Sequence, residues 1–479
     1  MRQVIRRFAV LASSSALTQL IAFIALAIAA RRVGPANLGS YTVVLALVTF
    51  LSLPITVGIT NVGLRDVARR PDQVLEVTGE VFVLQLILAT AAYVVLIALA
   101  PVITPTAAMS RLLPIVALFL FTGTSFEWTL QGLGRMREIA IARIVGQVAY
   151  GVLVPVLVVD GFPGILRYSW LMIAGLALKH VLTTVFLIRA AGLPRLRAGH
   201  RSIWRRFRVS VPMSYASVML QVYGQIDQVM LGYLSTSFDA GQYAAAYRIP
   251  GAILTFAGSW LSVVFPHSSA LAETNREQLR RHAGMLLSVI AMFSLPLVAC
   301  TPFVAHDLMV AAFGSQFGPA STAFTLLTVT VALALIDGTL STLLLGLGGD
   351  RRYAVLVTAT ALFNAVVNVP VIALFGRNGA AVVTIVSETL LFAMLALSAR
   401  LLLGGIVVEW GRLGRAALAV VPAVLALIVV PEGAAIVWVR ILLGGAVYGV
   451  GTVLFGAVRV TEIRHVFAPR LTRAAPAGR

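Results

Sequence analysis

Charge is what this chain has least of. Of its 479 residues only 11% are Asp, Glu, Lys or Arg, while 59% are hydrophobic. A soluble domain carries about a quarter of its residues as charges to cover its surface, so a water-soluble globular protein is excluded. Cysteine is nearly absent too. Cys300 stands alone, which rules out an intrachain disulfide and paired cysteine ligands, and it reads as a small core hydrophobe. Lysine occurs once, at Lys179. The chain also lacks a Walker A pattern, an HExxH pair and a GxSxG elbow. Each of these would have announced a known chemistry. Nothing supports an enzyme, and no cofactor is expected.

What is there is apolar helix, repeated. Runs long enough to span a bilayer, about 20 residues each, recur from end to end. Fourteen spans are expected: 8–30, 41–62, 77–100, 112–131, 140–159, 165–188, 209–233, 243–265, 283–305, 320–345, 353–375, 378–399, 415–431 and 436–458. The fold class is therefore an all-α integral membrane protein. The net charge of +19 invites a nucleic-acid reading, but the placement of the charges argues against one. Of the 37 Lys and Arg, 29 fall at the N-terminus, in the even-numbered loops and in the tail, and 6 fall on the opposite side. This is the positive-inside pattern, which places both termini in the cytoplasm of a cell-membrane protein. The basic excess then meets anionic lipid headgroups, and no nucleic-acid partner is expected. The N-terminus imitates a signal peptide, with MRQVIRR, an apolar stretch and Ala-Ile-Ala at 27–29. The apolar stretch is too long for an ordinary signal core, and it recurs in mid-chain, so it reads as a retained first helix.

That recurrence organises the chain. A gapless slide of 202 residues brings Ser15 onto Ser217, Gln19 onto Gln221, Gly39 onto Gly241 and Tyr41 onto Tyr243. A slide of 215 brings Val154-Pro155-Val156 onto Val369-Pro370-Val371, Gly161 onto Gly376 and Gly164 onto Gly379. Gly132-Leu133-Gly134 is echoed by Gly346-Leu347-Gly348. The copies stand at equal places in two sets of six helices. Six is even, so both copies cross the membrane in the same direction, related by an axis along the membrane normal. The expected parts are an N-terminal six-helix lobe at 1–190, a basic linker at 191–208, a second lobe at 209–403, a helix pair at 404–458 and a basic tail at 459–479. Around Trp204 the linker reads as an amphipathic surface helix. Two such bundles with a cleft between them form a transporter architecture. Membrane glycosyltransferases and polymerases usually display a long outward loop with acidic motifs. Here the longest outward segment, HDLMVAAFGSQFGPA at 306–320, is short and holds one acid.

Three segments carry a resemblance. AARRVGPANLGSYTVVLAL, then GITNVGLRDVARR at 58–70, then IDQVMLGYLSTSFDAGQYAAAYRI look like the Wzx-type polysaccharide-export flippases. These belong to the multidrug/oligosaccharidyl-lipid/polysaccharide exporter superfamily, with the lipid II flippases and the multidrug extruders. The resemblance covers helices 1–12 in layout and is most specific at helices 1–2 and 7–8. It implies two six-helix lobes in a V. It also implies transfer of a polyprenyl-pyrophosphate-linked oligosaccharide from the inner to the outer leaflet, with polymerases or glycosyltransferases as further partners. A cation-coupled multidrug extruder on the same fold, or a non-transporting scaffold of a glycan assembly complex, are the alternatives.

Polar residues inside spans are costly and invite a functional reading. Asp227 lies six residues from the outer end of its helix, Asn368 seven from the outer end of helix 11 and Thr384 six into helix 12, all on one level. Asn364 and Glu388 lie one turn deeper on their helices. The bland reading of Asp227 is helix-packing polarity. The sharper reading is a Na⁺ or H⁺ coupling site built from Asp227, Asn364, Asn368, Thr384 and Glu388. The resemblance implies a cation site in the corresponding lobe, although Asn368 stands where a second acid can occur. The repeat partners of Asp227, Asn364, Asn368 and Glu388 are Ala25, Ala149, Leu153 and Ile173, so this polarity belongs to one bundle. Arg248 and Lys179 are expected to face the cleft and hold a pyrophosphate, Arg by its planar fork and Lys as a point charge. Snorkelling is the bland reading of Arg248, and a buried pair with Glu127 that of Lys179. Arg65 and Arg143, near the cytoplasmic ends, are further headgroup candidates that also read as topology charges. Asp337 has no assigned role.

Overall fold

The computed structural model describes residues 2–196, 199–405 and 408–458; the expected tail at 459–479 lies outside them. No strand occurs among the described residues. The helices are α1 (Arg2–Leu53), α2 (Ile59–Arg69), α3 (Val74–Ile103), α4 (Ala107–Val116), α5 (Glu127–Gly132), α6 (Met136–Leu157) and α7 (Gly161–Ala191). They continue as α8 (His200–Leu234), α9 (Ser237–Thr274), α10 (Arg276–Phe313), α11 (Ser321–Gly346), α12 (Asp350–Leu403), α13 (Trp410–Val429) and α14 (Val437–Leu454). Among the described residues, ten helical stretches are long and apolar enough to cross a membrane. They carry expected spans 1 to 6 and 9 to 14, and the other two spans lie in α8 and α9.

Two of the ten stretches hold a pair of spans each, joined without a loop. The break in α1 is Gly34 (φ 78°, ψ 168°), and the break in α12 is Gly376 (φ 55°, ψ −137°). Side chains with a Cβ rarely adopt these angles, so one glycine breaks the helix where a loop was expected. The repeat is visible in the same currency. Gly161 and Gly376, matched by the slide, both have positive φ, at 71° and 55°. The two GLG turns are also alike. Gly134 and Gly348 sit at φ 72° and 76°, and each closes a helix with the same two bonds. Gly134 donates to Gln131 and Arg135 to Leu130; Gly348 donates to Leu345 and Gly349 to Leu344. This is the Schellman termination, which satisfies the last carbonyls of a helix.

The helices pack as two compact units interleaved along the chain. The first comprises Met1–Ala252, Ala312–Ala323 and Ala361–Val383; the second comprises Ile253–Ala311, Phe324–Thr360 and Thr384–Arg479. This partition by packing cuts α9, α10, α11 and α12 part-way and is not the partition by repeat.

The first unit is built on a crossing of α1 and α9. A Cβ on Gly39 would lie 1.8 Å from the carbonyl oxygen of Ser237, and one on Gly241 would lie 1.9 Å from that of Pro35. Gly39 matches Gly241 under the 202 slide, and Pro35 matches Ser237. The contact is thus reciprocal, as a local two-fold between the two glycines requires. Helix ends follow suit. Arg31 Nε caps the carbonyl of Ala312 near the end of α10 at 3.1 Å. Its repeat mate Tyr233 caps the carbonyl of Ile103 at the end of α3. After α1 the chain makes one turn of π-helix, Pro54–Gly58, where proline removes a backbone donor. Gln85 of α3 donates to the Ile55 carbonyl there at 3.1 Å.

Two expectations about polar segments change. Residues 200–208 of the expected linker form the first turns of α8. They are fixed by Arg206, 8% exposed, which pairs with Glu80 at 2.6 Å and Asp66 at 2.8 Å. The segment 306–320, expected to face outward, is not a loop. Its first part ends α10, and Ser315–Ala320 is a 3₁₀ turn. Its acid, Asp307, receives Arg440 of α14 at 2.6 Å and the backbone N–H of Gly433 at 2.9 Å. Arg440, counted as a loop charge, is 1% exposed and holds the final helix pair to α10. Both arginines are drawn inside by acids on neighbouring elements, which offset the cost of burying the charge.

The crossing makes a direct prediction. Gly39→Ala or Gly241→Ala should destabilise the fold by about 1–3 kcal/mol or more, since the obstacle is backbone rather than a movable side chain. Gly445→Ala, which meets no atom within 4 Å, should be neutral. Thermal unfolding of the three variants in detergent measures the difference.

Candidate functional site

Within the first unit lies a cavity of about 260 Å³. It is placed by two close approaches. The crossing of α1 and α9 presents Tyr41, Thr42 and Leu45 just past Gly39, and Arg248 two turns past Gly241. The second approach joins α6 to α7. A Cβ on Gly146 would lie 2.7 Å from the Gly175 carbonyl, and one on Gly175 would lie 2.8 Å from the Gly146 carbonyl. These helices are adjacent and antiparallel. Arg143, one turn before Gly146, and Lys179, one turn after Gly175, therefore reach the same level.

They meet at Glu127, the first residue of α5. Arg143 Nε donates to Glu127 Oε1 at 2.7 Å, and Lys179 Nζ lies 3.4 Å from Oε2. Arg143 also donates to Ser15 Oγ at 3.1 Å. The carboxylate sits at a helix N-terminus, where the macrodipole favours negative charge. Both cations line the cavity together with Arg248. Arg248 is exposed and has no ion pair among the described residues. Three cations and one carboxylate leave the cavity with two net positive charges.

Three tyrosines form one wall. Tyr150 donates to Tyr168 across 2.6 Å between their hydroxyl oxygens. Tyr41 packs edge-on against Tyr168 at 5.4 Å between ring centroids, and its hydroxyl meets Met172 Sδ at 2.9 Å. All three line the cavity together with Arg248. The wall thus offers a polarised aromatic face beside fixed positive charge.

Of the residues singled out in the sequence, Arg248, Lys179 and Arg143 come together here. Arg65 does not line this cavity; it is exposed, with its Nε 3.8 Å from Asp66. The pairing of Lys179 with Glu127, weighed as its bland reading, is present and coexists with its place on the cavity. Asp227, 6% exposed, accepts a hydrogen bond from Tyr243. Asn368 Nδ2 donates to Asn364 Oδ1 at 2.9 Å, with both side chains buried. These residues belong to the first unit, whereas Thr384 and Glu388 belong to the second. There Glu388 neighbours Asp337, both buried. No group of three or more His, Cys, Asp or Glu side chains is placed to hold a metal ion among the described residues. Sequence reasoning missed the tyrosine wall and the shared role of Glu127. Tyr41 was in view only as the repeat mate of Tyr243.

A family model described as polysaccharide biosynthesis protein matches residues 4–272, more than half the chain. The chain belongs to that family. The segment matched runs through the cavity and both glycine crossings. Two curated relatives come from Haloferax volcanii: "Probable flippase AglR", 25% identical over 35% of this chain, and "Probable low-salt glycan biosynthesis flippase Agl15", 25% identical over 39%. The chain spans 36% and 39% of their lengths. Among solved structures, the lipid II flippase MurJ in an inward closed conformation has a TM-score of 0.72 at 13% identity, covering 93% of this chain and 98% of its own. An inward-facing MATE family transporter of the MOP superfamily has a TM-score of 0.67 at 16% identity, covering 81% and 94%. At these identities they share the fold with this family member, an all-helical multi-pass membrane protein.

The shared carboxylate yields the second prediction. Glu127→Ala leaves Arg143 and Lys179 facing one another and should cost about 1–3 kcal/mol. Adding Lys179→Met should restore part of the loss, because the mutual repulsion goes with the charge. Unfolding midpoints of the single and double variants, compared with Lys179→Met alone, measure it.

Proposed function

We propose that this protein is a flippase that moves a polyprenyl-pyrophosphate-linked oligosaccharide from the inner to the outer leaflet for cell-surface polysaccharide assembly. The observation that carries the reading is the charge of the cavity. Two net positive charges match the two negative charges of a pyrophosphate diester. A pyrophosphate cannot cross hydrocarbon unaided, while its polyprenyl tail can stay in lipid. Arg248 supplies a planar fork without a resident partner among the described residues, suited to two phosphate oxygens. Arg143 and Lys179 are held by Glu127, which competes with the headgroup and so favours release over tight trapping. Family membership and the names of the Haloferax relatives support the same substrate class. A cavity lined by arginine and lysine argues against an extruder of cationic compounds.

The Lys and Arg asymmetry supports a cell-membrane protein with cytoplasmic termini. With the inside negative, outward movement of two negative charges gains about 4.6 kcal/mol per 100 mV, so membrane potential favours export. Inward cation movement at Asp227, assisted by Asn364 and Asn368, would add to it, and Na⁺ or H⁺ is the proposed coupling ion. Glycosyltransferases and a polysaccharide polymerase are the proposed partners in supply and use of the lipid-linked glycan.

Arg248→Ala should abolish delivery of the lipid-linked glycan to the outer leaflet, and Arg248→Lys should retain part of it. The measurement is surface glycan in cells complemented with each variant at matched membrane levels. Normal delivery by the Ala variant would remove Arg248 from the mechanism.

A further inference from the structure

His180 follows Lys179 on α7, and the headgroup reading does not use it. Its Nδ1 lies 2.7 Å from the carbonyl oxygen of Leu176, one turn back on the same helix. Its Nε2 lies 3.1 Å from the carbonyl oxygen of Thr122. Thr122 belongs to the 3₁₀ segment Ala117–Thr124, so the ring ties that segment to α7. Carbonyl oxygens only accept. A neutral imidazole has one N–H and one bare nitrogen. In either neutral tautomer one ring lone pair would point at a carbonyl lone pair. The imidazolium alone donates to both.

The charged groups around the ring come from three elements. Lys179 is on its own helix and Glu127 is on α5; Arg143 of α6 acts through its bonds to Glu127. The segment 117–124 contributes no titratable side chain. Burial and the Lys179 ammonium work against a charged ring, while the two carbonyls and Glu127 work for it. An anion that engages Lys179 and Arg143 tips this balance toward the charged ring.

We propose that His180 is a proton-binding site beside the cavity, whose occupancy strengthens the binding of an anionic headgroup and fastens the 117–124 segment to α7. The step is simple: a proton from the aqueous phase binds the bare ring nitrogen, and no other covalent bond changes. By reciprocity the bound anion strengthens proton binding. The identity of that anion rests on the headgroup reading; the proton site does not.

The test has two arms on the full-length protein in detergent. The first is nitrogen NMR of histidine-labelled protein, with the His180 signals assigned by their loss in His180→Gln. Both ring nitrogens should carry protons at about pH 7; one protonated and one bare nitrogen there would overturn the proposal. The second arm is binding of a short-prenyl pyrophosphate ester of N-acetylglucosamine between about pH 8 and 6, where its own charges do not titrate but histidine does. Wild-type affinity should tighten several-fold as pH falls, by at most about tenfold per pH unit for one linked proton. His180→Arg, with two donors and a fixed charge, should bind at the tight limit with a flat profile. His180→Gln should be flat and weak. A wild-type slope kept by both variants would overturn the proposal. A charged ring with no binding at any pH would instead remove the headgroup reading and leave the proton site standing.

Discussion

Two helices can approach to the distance seen at Gly39 and Gly241 only if neither carries a Cβ at the contact. That constraint sets the rest of the first unit. Each glycine faces a carbonyl of the other helix at less than 2 Å from where a Cβ would be. In a bilayer there is no hydrophobic force between apolar helices, and close backbone packing supplies much of the association. The crossing therefore does two things. It joins a helix of the first repeat to one of the second, and it delivers Tyr41 and Arg248 to a common cavity. Gly146 and Gly175 repeat the device between α6 and α7 and bring Arg143 and Lys179 to Glu127.

The same local frame carries different chemistry in its two copies. Tyr41 and Tyr243 occupy matched positions. Tyr243 donates to Asp227, but the mate of Asp227 is Ala25, and the Tyr41 hydroxyl turns to Met172. Duplication kept Gly39 with Gly241, the positive φ shared by Gly161 and Gly376, and the GLG helix terminations, because these are fixed by backbone geometry. It left the polar side chains free to diverge, because a charge within a span is tolerated wherever a partner is present.

Acids are scarce in this chain, with 18 Asp and Glu against 37 Lys and Arg. Several of those placed inside the bundles fix cations. Glu80 and Asp66 take Arg206, Asp307 takes Arg440, and Asp239 takes Arg377. Glu127 takes two cations at once. Arg248 stands outside this accounting, which is why the positive charge of the cavity collects there. A cavity poor in acid and lined by one aromatic wall is suited to an anion joined to a sugar.

The sequence by itself determined the membrane class, the helical spans and the repeat. Each depends on periodicity, composition or identity along the chain, and hydrocarbon forces a spanning segment to satisfy its backbone within itself. It also identified Arg248 and Lys179, because a cation inside an apolar run is conspicuous. It could not decide which cations share a cavity. Arg143 looked like a topology charge until the α6–α7 approach set it beside Lys179, and Arg65, equal to it in sequence, points elsewhere. Nor could it place Arg440, whose buried pairing depends on an acid 133 residues away. Tyr150 and Tyr168 carried no signal at all, since an aromatic in a span is ordinary until another helix turns its hydroxyl toward a partner. Partnership across helices is a matter of close approach, and in this protein glycines far apart in the chain decide it.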